Sequence, residues 1–317
     1  MLHALENPEY KQLAWQQLPR IADQFELVGP LSDSLALEVW LDWGNNTHLM
    51  PPRFQRPLIF PTSDDQQAGL VGGGAVDAGQ MAIILGNSAV VNSSYSELPS
   101  RGNLDVMRLN WGPYLWMRCF NNGAQFLDRM VGLQPDWELL EREARACPPG
   151  CEGTIVLPFT APEPSLGVTA PRVEWHPSEP KEIGKRFRAA LEALAYLIAH
   201  GVREHEDAGQ KITRITVSGG IARSQLMCEI LASVLDRNLE RLQSDEGPAL
   251  GAAVTALAAL ETHRRRQGAP VKEELTPFTV ADAVAVLVKF RDPVLPNPAW
   301  RQIYQEGSRA FEQRLRS

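Results

Sequence analysis

A paired glycine in the C-terminal half of the chain has the residue types of a ligand-binding turn. Gly219 and Gly220 follow the apolar run 215–217, and Ser224 precedes a helical apolar period. This order predicts a strand, a tight loop and a helix that Ser224 caps. Because glycine has no Cβ, a flat ligand could approach this backbone, and free N–H groups at the helix start favour anionic groups. A close-packed turn without a ligand fits the same pattern.

A segment of small residues lies further along the chain. Glu246-Gly247-Pro248 opens the run 249–259, in which alanine and glycine predominate. The run predicts a helix whose small side chains let another backbone or a flat ligand lie close against it. Helices of this composition also serve as plain packing elements.

A pair of carboxylates follows a predicted strand in the N-terminal half. The apolar run 57–61 leads into Asp64, Asp65 and the polar Gln66. An alcohol is a poor nucleophile until a positioned base accepts its proton, and a carboxylate at a strand end can be that base. The alternative is that Asp64 and Asp65 only cap the next turn.

A second predicted strand ends in a polar loop. The apolar run 81–85 is followed by Gly86, Asn87 and Ser88. Backbone amides and a hydroxyl in such a loop can hold phosphate oxygens. Polar turns without a ligand are also common after strands.

Composition narrows the class of protein. The 317-residue chain has a formal net charge of −7, which argues against nucleic-acid binding because that function needs a basic face. Its four scattered cysteines do not suggest a disulfide framework, and this favours the cytoplasm. Cys147 and Cys151 lack the further Cys or His residues of a tetrahedral metal site. No apolar run has the length of a membrane span.

The clearest helix of the chain is predicted over 182–206. Its apolar residues recur at three- and four-residue spacings, and Arg188 is assigned to the solvent side. His200 and His205 near its end are expected to be solvated or to satisfy helix carbonyls.

Other elements are predicted from shorter patterns. A helix is expected over 114–130, apart from a turn at 121–123, and a strand over 154–159. Tyr304 and Phe311 in the C-terminal tail are expected to pack back on the domain.

Three motifs together resemble one known family. Ser-Gly-Gly-Ile-Ala-Arg-Ser at 218–224, Ile-Leu-Ala-Ser-Val-Leu at 230–235 and Glu-Gly-Pro-Ala-Leu-Gly-Ala-Ala at 246–253 closely resemble the adenosine-binding region of the FGGY carbohydrate kinases. That family includes xylulokinase, gluconokinase and glycerol kinase. The resemblance implies an α/β fold of the actin-like ATPase (ribonuclease H-like) type and a cytoplasmic enzyme that uses ATP and Mg²⁺ to phosphorylate a sugar or polyol.

The resemblance also implies roles for particular residues. Asp65 aligns with the family's general base, and Gln66 with the neighbour that contacts the polyol. The residues implied in nucleotide binding are Gly86, Asn87, Ser88, Gly219, Gly220, Ala222, Ser224 and Glu229.

Some positions depart from the family pattern. Asp64 stands where the family has Gly, and Asn87 where the phosphate loop usually has Thr. Ala89 and Ile221 replace two further glycines. Alanine adopts a positive φ only at a cost, so Ala89 is expected to strain a loop that needs one.

The resemblance covers about residue 57 to the end and corresponds to the C-terminal domain of a two-domain sugar kinase. We therefore expect a connector over 1–52, an actin-like nucleotide-binding domain over 53–264 and a helical tail over 265–317. The Asp-x-Gly-Thr phosphate loop of the family's N-terminal domain does not occur in this sequence. Phosphoryl transfer depends on a closed, positioned site, so the chain alone is expected to be a half-site.

Three accounts of such a half-site remain open. The chain could come from a sugar kinase that has been truncated, split between genes or called from an internal start codon, and that regains activity when the other half is present. It could instead be a nucleotide-sensing or partner-docking module without chemistry, or a degenerate structural domain without a ligand. An upstream reading frame that encodes Asp-x-Gly-Thr would favour the first account. Apolar surface at the missing domain's place would favour homo-oligomers.

Overall fold

A computed structural model describes residues 25–42, 56–132, 134–244, 246–268 and 278–317. By internal contacts the chain divides into a larger unit, residues 62–258 and 276–317, and a smaller one, residues 1–61 and 259–275. Most of the predicted connector lies outside the described residues. None of the helices in the described ranges combines the length and apolar character needed to cross a membrane.

The described part of the smaller unit consists of short elements. Strand β1 (Gly29–Pro30) pairs antiparallel with β2 (Leu58–Ile59), and helix α1 spans Asp33–Asp42. Arg56 forms an ion pair with Asp33 at 2.9 Å. The predicted strand over 57–61 is therefore present in a shorter form.

The larger unit is built on a six-stranded mixed sheet within the described residues. Its strand order is β10-β9-β3-β4-β6-β5, and β7 pairs separately with β8. The strands are β3 (Gln80–Leu85), β4 (Ala89–Tyr95), β5 (Asp105–Arg108), β6 (Tyr114–Phe120), β7 (Ile155–Phe159), β8 (Arg172–His176), β9 (Arg214–Ser218) and β10 (Glu240–Arg241). The helices with residues in this unit are α2 (Asp65–Gly72), α3 (Ala124–Val131), α4 (Trp137–Ala146), α5 (Ile183–Asp207), α6 (Gln225–Leu235), α7 (Gly247–Gly268), α8 (Val280–Leu287) and α9 (Arg301–Arg316).

Strands β3 and β9 run parallel and side by side in the interior of this sheet. Ile83 is paired with Val217, and Ile84 with Ser218. Because neighbouring parallel strands end at the same edge, the loops after Leu85 and after Ser218 emerge together. The predicted strands over 81–85, 154–159 and 215–217 are confirmed.

The sheet carries helices on both faces. Ile83 and Leu85 point to a large core that includes Leu191 of α5, while Ala82 points to a smaller cluster with Leu70 of α2. This alternation along β3 explains the continuous apolar run, since both faces of the strand are buried.

The predicted helix over 114–120 is wrong. These residues form β6, which pairs antiparallel with β4 from Tyr114 opposite Tyr95 to Phe120 opposite Ala89. Leu115 and Phe120 belong to cores on opposite sides of the sheet. A segment buried on both faces has no clean strand period, which is why the spacing could be taken for a helical one.

The long helix α5 occupies the predicted position, but the assignment of Arg188 to solvent was wrong. Only 2% of Arg188 is exposed. Its guanidinium donates to Glu192 at 2.9 Å and to the Tyr304 hydroxyl at 2.9 Å. A buried charge needs such partners, and here they attach α9 to α5.

The two histidines of α5 have structural partners. His205 is fully buried, and its ring nitrogens contact the carbonyls of Gly201 and Trp116 at 2.8 and 3.2 Å. His200 pairs with Glu312 of α9 at 2.9 Å. The burial of Tyr304 and Phe311 confirms that the tail packs on the domain.

The small residues of α7 provide a close crossing with α2. A Cβ at Gly251 would lie 1.8 Å from the Ala68 carbonyl oxygen, and one at Gly72 would lie 1.8 Å from the Gly247 carbonyl oxygen. The small residues of this helix were predicted to let either another backbone or a flat ligand lie close. At Gly247 and Gly251 the close neighbour is the backbone of α2. The contact also fixes α2, which begins with Asp65.

We expect Gly251→Ala to destabilise the fold. Overpacking a tight contact costs about 1–3 kcal/mol, whereas alanine in an open helix position would be favourable by roughly 0.5–1 kcal/mol. Thermal unfolding of this variant should be compared with Ala253→Ser, an exposed position on the same helix. A Gly251→Ala protein as stable as the wild type would contradict the backbone contact.

A second prediction concerns acid stability. The hydrogen bond from His200, together with the nearby Arg203 guanidinium, lowers the pKa of Glu312 to about 2. A lowered folded-state pKa contributes stability that is present above the ordinary glutamate pKa and is lost as the pH falls through the folded value. The difference in unfolding free energy between wild type and Glu312→Gln should therefore shrink from about pH 5 to about pH 2. A difference that stays constant over this range would contradict the pairing.

Candidate functional site

The turn after β9 is shaped by Gly219. Its φ of +93° lies in the left-handed region, and a Cβ there would be 2.5 Å from the Leu85 carbonyl oxygen. The Gly219 carbonyl accepts from the Ala222 amide at 3.1 Å and closes a 3₁₀ turn over Gly220–Arg223. The Ser224 hydroxyl then accepts from the Met227 amide at 3.1 Å, so the predicted cap of α6 is confirmed.

Gly220 has a different environment from Gly219. A Cβ at Gly220 would meet no atom within 4 Å, and its φ is not in the left-handed region. Gly220 lines a cavity of about 570 Å³ at the ends of β3 and β9. The lining residues are Leu85, Gly86, Asn87, Ala124, Leu127, Asp128, Trp137, Glu141, Phe187, Leu191, Gly220, Ile221, Arg223 and Ser224.

The loop between β3 and β4 forms another part of this cavity wall. The Gly86 amide donates to the Ser88 carbonyl at 3.0 Å, and the Asn87 and Ser88 amides donate to no backbone acceptor among the described residues. No residue from Gly86 to Ala89 has a positive φ. The strain expected at Ala89 is therefore absent, because this loop does not need a left-handed residue.

A buried carboxylate positions the loop from behind. Glu163, only 1% exposed, accepts from the Asn121 amide at 2.7 Å and from Asn122 Nδ2 at 3.1 Å. This holds the turn that ends in Gly123, whose amide donates to the Asn87 carbonyl at 3.0 Å. A Cβ at Gly123 would be 2.6 Å from the Gly86 carbonyl oxygen. The predicted turn at 121–123 thus supports the β3–β4 loop.

The two aspartates before α2 have separate roles. Asp64 caps the helix, since its Oδ1 accepts from the Gln66 and Gln67 amides at 3.0 Å each. Asp65 occupies the first helical position, is exposed, and its carboxylate accepts no hydrogen bond from any described residue. Gln66 Oε1 accepts from Asn92 Nδ2 at 3.1 Å, and Asn92 is fully buried on β4. The capping task belongs to Asp64, so Asp65 is available for other contacts.

Cys119, near the end of β6, contacts Ser88 of the β3–β4 loop. Burial raises the pKa of its thiol, and the carboxylates of Glu163, Asp105 and Asp65 are close enough to add to that rise. Its hydrogen bond with Ser88 has the opposite effect. Ser88 lies near the end of β6, because the next residue, Ala89, pairs with Phe120.

The residues implied in nucleotide binding are only partly brought together. Gly86, Asn87, Gly220 and Ser224 line the cavity. Gly219, Ser88 and Ala222 do not line the cavity. Gly219 packs against the end of β3, Ser88 lies in the β3–β4 loop, and Ala222 is buried with 8% exposure. Glu229 does not line the cavity.

The carboxylate of Glu229 serves a contact between helices. It pairs with Arg145 of α4 at 2.8 Å and accepts from Gln225 Nε2 at 2.9 Å. A second carboxylate, Glu141, accepts from Arg145 at 3.1 Å and from the Leu226 amide at 3.0 Å. These contacts attach α4 to α6.

The wall formed by α4 and α5 was not predicted from the sequence. Trp137 and Phe187 line the cavity together with Leu127 and Leu191. The local signals in α4 are its charged helical pattern over 137–146 and Asp136, which caps the helix by accepting from the Leu139 amide at 3.0 Å. Which residues face a cavity depends on how distant helices pack, and the spacing within one helix does not contain that information.

Gly219 and Gly220 are neighbours with different surroundings, so they make a matched pair for a stability test. We expect Gly219→Ala to cost roughly 1–3 kcal/mol or more, because it adds backbone strain and a clash with the end of β3. Gly220→Ala should be close to neutral, since the added Cβ meets open space. Denaturant unfolding measures both. Equal stability of the two variants would contradict the close approach at Gly219.

Comparisons with known proteins agree with this architecture. Residues 154–260 match the model of the FGGY family of carbohydrate kinases, C-terminal domain. The xylulose kinase of Escherichia coli (strain K12) is 30% identical over 259 residues, which cover 78% of this chain and 50% of that protein. The chain spans about half the length of the curated relatives it matches.

Solved structures give the same picture of the fold. The xylulose kinase from Rhodospirillum rubrum superposes with a TM-score of 0.74 at 21% identity, covering 96% of this chain and 58% of that one. Plasmodium falciparum glycerol kinase with ADP gives a TM-score of 0.65 at 15% identity, covering 86% and 53%. The predicted actin-like α/β fold is confirmed.

Proposed function

Because the chain belongs to the FGGY family of carbohydrate kinases through its C-terminal domain, we propose that it supplies the nucleotide-binding half of an ATP-dependent sugar or polyol kinase. The observation that carries the proposal is the cavity at the ends of β3 and β9. Gly86 and Asn87 of one loop and Gly220 of the other lie on its wall. We extend the proposal to Asp65 as the general base and Gln66 as a contact to the substrate.

The composition of the cavity fits a nucleotide. Its wall joins apolar and aromatic side chains to loop amides that have no backbone acceptor among the described residues. Ligand sites commonly combine an apolar lining with a few polar groups, and loop amides suit phosphate oxygens. A flat base and an anionic tail could therefore be bound by one continuous surface.

In this proposal Mg²⁺ arrives with the nucleotide and is not held in a site of its own on the protein. Within the part of the chain that the structure describes, no group of three His, Cys, Asp or Glu residues is arranged to hold a metal ion. Mg²⁺ in phosphoryl-transfer sites is bound largely through phosphates, waters and one or two carboxylates. When bound, it would neutralise charge on the transferred phosphoryl group.

The chemistry assigned to Asp65 is a proton transfer. The substrate hydroxyl oxygen forms a bond to the γ-phosphorus, the bond from that phosphorus to the β–γ bridging oxygen breaks, and ADP leaves. The hydroxyl proton passes to the Asp65 carboxylate. An exposed carboxylate that caps nothing is suited to this task, and such a base contributes about 10²–10⁴ in rate.

The proposal includes a partner. Residues 53–264 would form the actin-like domain, residues 265–317 its helical tail, and residues 1–52 a connector. A separate N-terminal kinase domain would complete the sugar site, and the pair would act in the cytoplasm.

Calorimetric titration with Mg-ADP tests the nucleotide site. We expect the purified chain to bind Mg-ADP and Gly220→Trp to lose binding, because the indole would fill a cavity that Gly220 leaves open. Leu98→Trp, which places an indole at an exposed position outside the cavity, is the matched control and should bind normally. Absence of binding to the wild-type chain, or equal binding to all three proteins, would contradict the proposal.

Asp65→Asn tests the assignment of the base. With an N-terminal kinase domain supplied, this variant should lose turnover by at least about 10²-fold, while its Mg-ADP affinity stays close to that of the wild type. Phosphorylation of a panel of ketoses and polyols measures the first quantity and calorimetry the second. Loss of nucleotide binding in Asp65→Asn would count against its role as base. Binding without turnover in the wild-type pair would instead favour a nucleotide-sensing module.

A further inference from the structure

Trp137 is exposed in a way that core packing does not explain. It is the first residue of α4 and 51% exposed, although Leu140 and Ala144 on the same helix are 3% and 0% exposed. Single exposed apolar side chains are common on protein surfaces, so the location of Trp137 matters more than its exposure. The exposed ring lines the cavity described above.

A second aromatic ring supports Trp137 from the core. Phe187 of α5 is 4% exposed, and its ring centroid lies 6.3 Å from that of Trp137 with an interplanar angle of 53°. Leu127 and Leu191 belong to the same cavity wall. The indole therefore has one side in contact with the core and is still half open.

Helix α4 is held firmly at this position. A Cβ at Gly184 would be 2.5 Å from the Glu143 carbonyl oxygen, so α4 and α5 are in backbone contact. Glu141 and Arg145 attach α4 to α6 through Leu226 and Glu229. A fixed helix loses little entropy when a ligand binds against it, which makes Trp137 a preorganised surface.

We propose that Trp137 is the surface on which the base of the bound nucleotide stacks. This inference rests on the proposed function, because it concerns the same cavity. A base that stacks on an aromatic side chain gains affinity through its π-face, and this gain does not require hydrogen bonds to the edge of the base. The α4 wall would then recognise the base, and the two loops the phosphates.

Three substitutions separate stacking from simple bulk. Trp137→Phe keeps an aromatic ring, Trp137→Leu keeps an apolar side chain, and Trp137→Ala removes both. We expect Mg-ADP affinity to fall about tenfold in the Leu and Ala variants and to stay within about threefold in the Phe variant, given the usual strength of base stacking. Leu98→Ala, which removes an exposed apolar side chain at 61% exposure, is the matched surface control.

Tryptophan fluorescence provides an independent readout. Mg-ADP should change the emission of the wild-type chain, and that change should be absent in Trp137→Phe even though calorimetry still detects binding. Equal affinity of the wild type and Trp137→Ala would overturn the stacking role while leaving the nucleotide site in place. Full affinity in Trp137→Leu would also overturn it, because bulk alone would then suffice. Failure of the wild-type chain to bind Mg-ADP would overturn both proposals.

Discussion

The close approach of Gly219 to the Leu85 carbonyl is the contact on which the candidate site depends. Strands β3 and β9 are parallel neighbours, and this contact holds the turn after β9 directly against the end of β3. The Cβ of any other residue would be 2.5 Å from that oxygen. The turn and the β3–β4 loop can share one cavity wall because the backbone of Gly219 needs so little room.

The two loops are positioned by buried groups that never face the cavity. Glu163 organises the Asn121–Gly123 turn, which in turn fixes the β3–β4 loop through the Asn87 carbonyl. On the other face of the sheet, the glycine contacts between α2 and α7 fix the start of α2, where Asp64 caps and Asp65 stays exposed. The geometry of the site therefore rests on backbone contacts and satisfied buried polar groups.

The elements that could be predicted from the sequence are those governed by local chemistry. The β9 turn was evident because paired glycines, a Ser cap and an apolar period lie within a few residues of one another. The β6 strand was mistaken for a helix because both of its faces are buried. Arg188 was assigned to solvent because it is charged. Its carboxylate partner Glu192 lies one turn further along the same helix, but its burial and its hydrogen bond to the Tyr304 hydroxyl depend on the packing of α9.

The candidate site, too, could be predicted only where local sequence patterns define it. The motifs near Asp65, Gly86 and Gly219 could be recognised, because each is a strand end with a characteristic residue pattern. The Trp137 wall could not, since α4 reaches the cavity only through its contacts with α5 and α6. The resemblance implied a ligand contact for Glu229. In the structure its carboxylate forms an ion pair with Arg145, and its part in nucleotide binding stays a prediction.

Hydrogen–deuterium exchange with and without Mg-ADP tests most directly whether these parts form a single nucleotide site. We expect bound nucleotide to slow amide exchange in four segments at once: the β3–β4 loop, the start of α3, the turn after β9 and the start of α4. Protection confined to one of these segments, or found only elsewhere in the chain, would contradict a shared site.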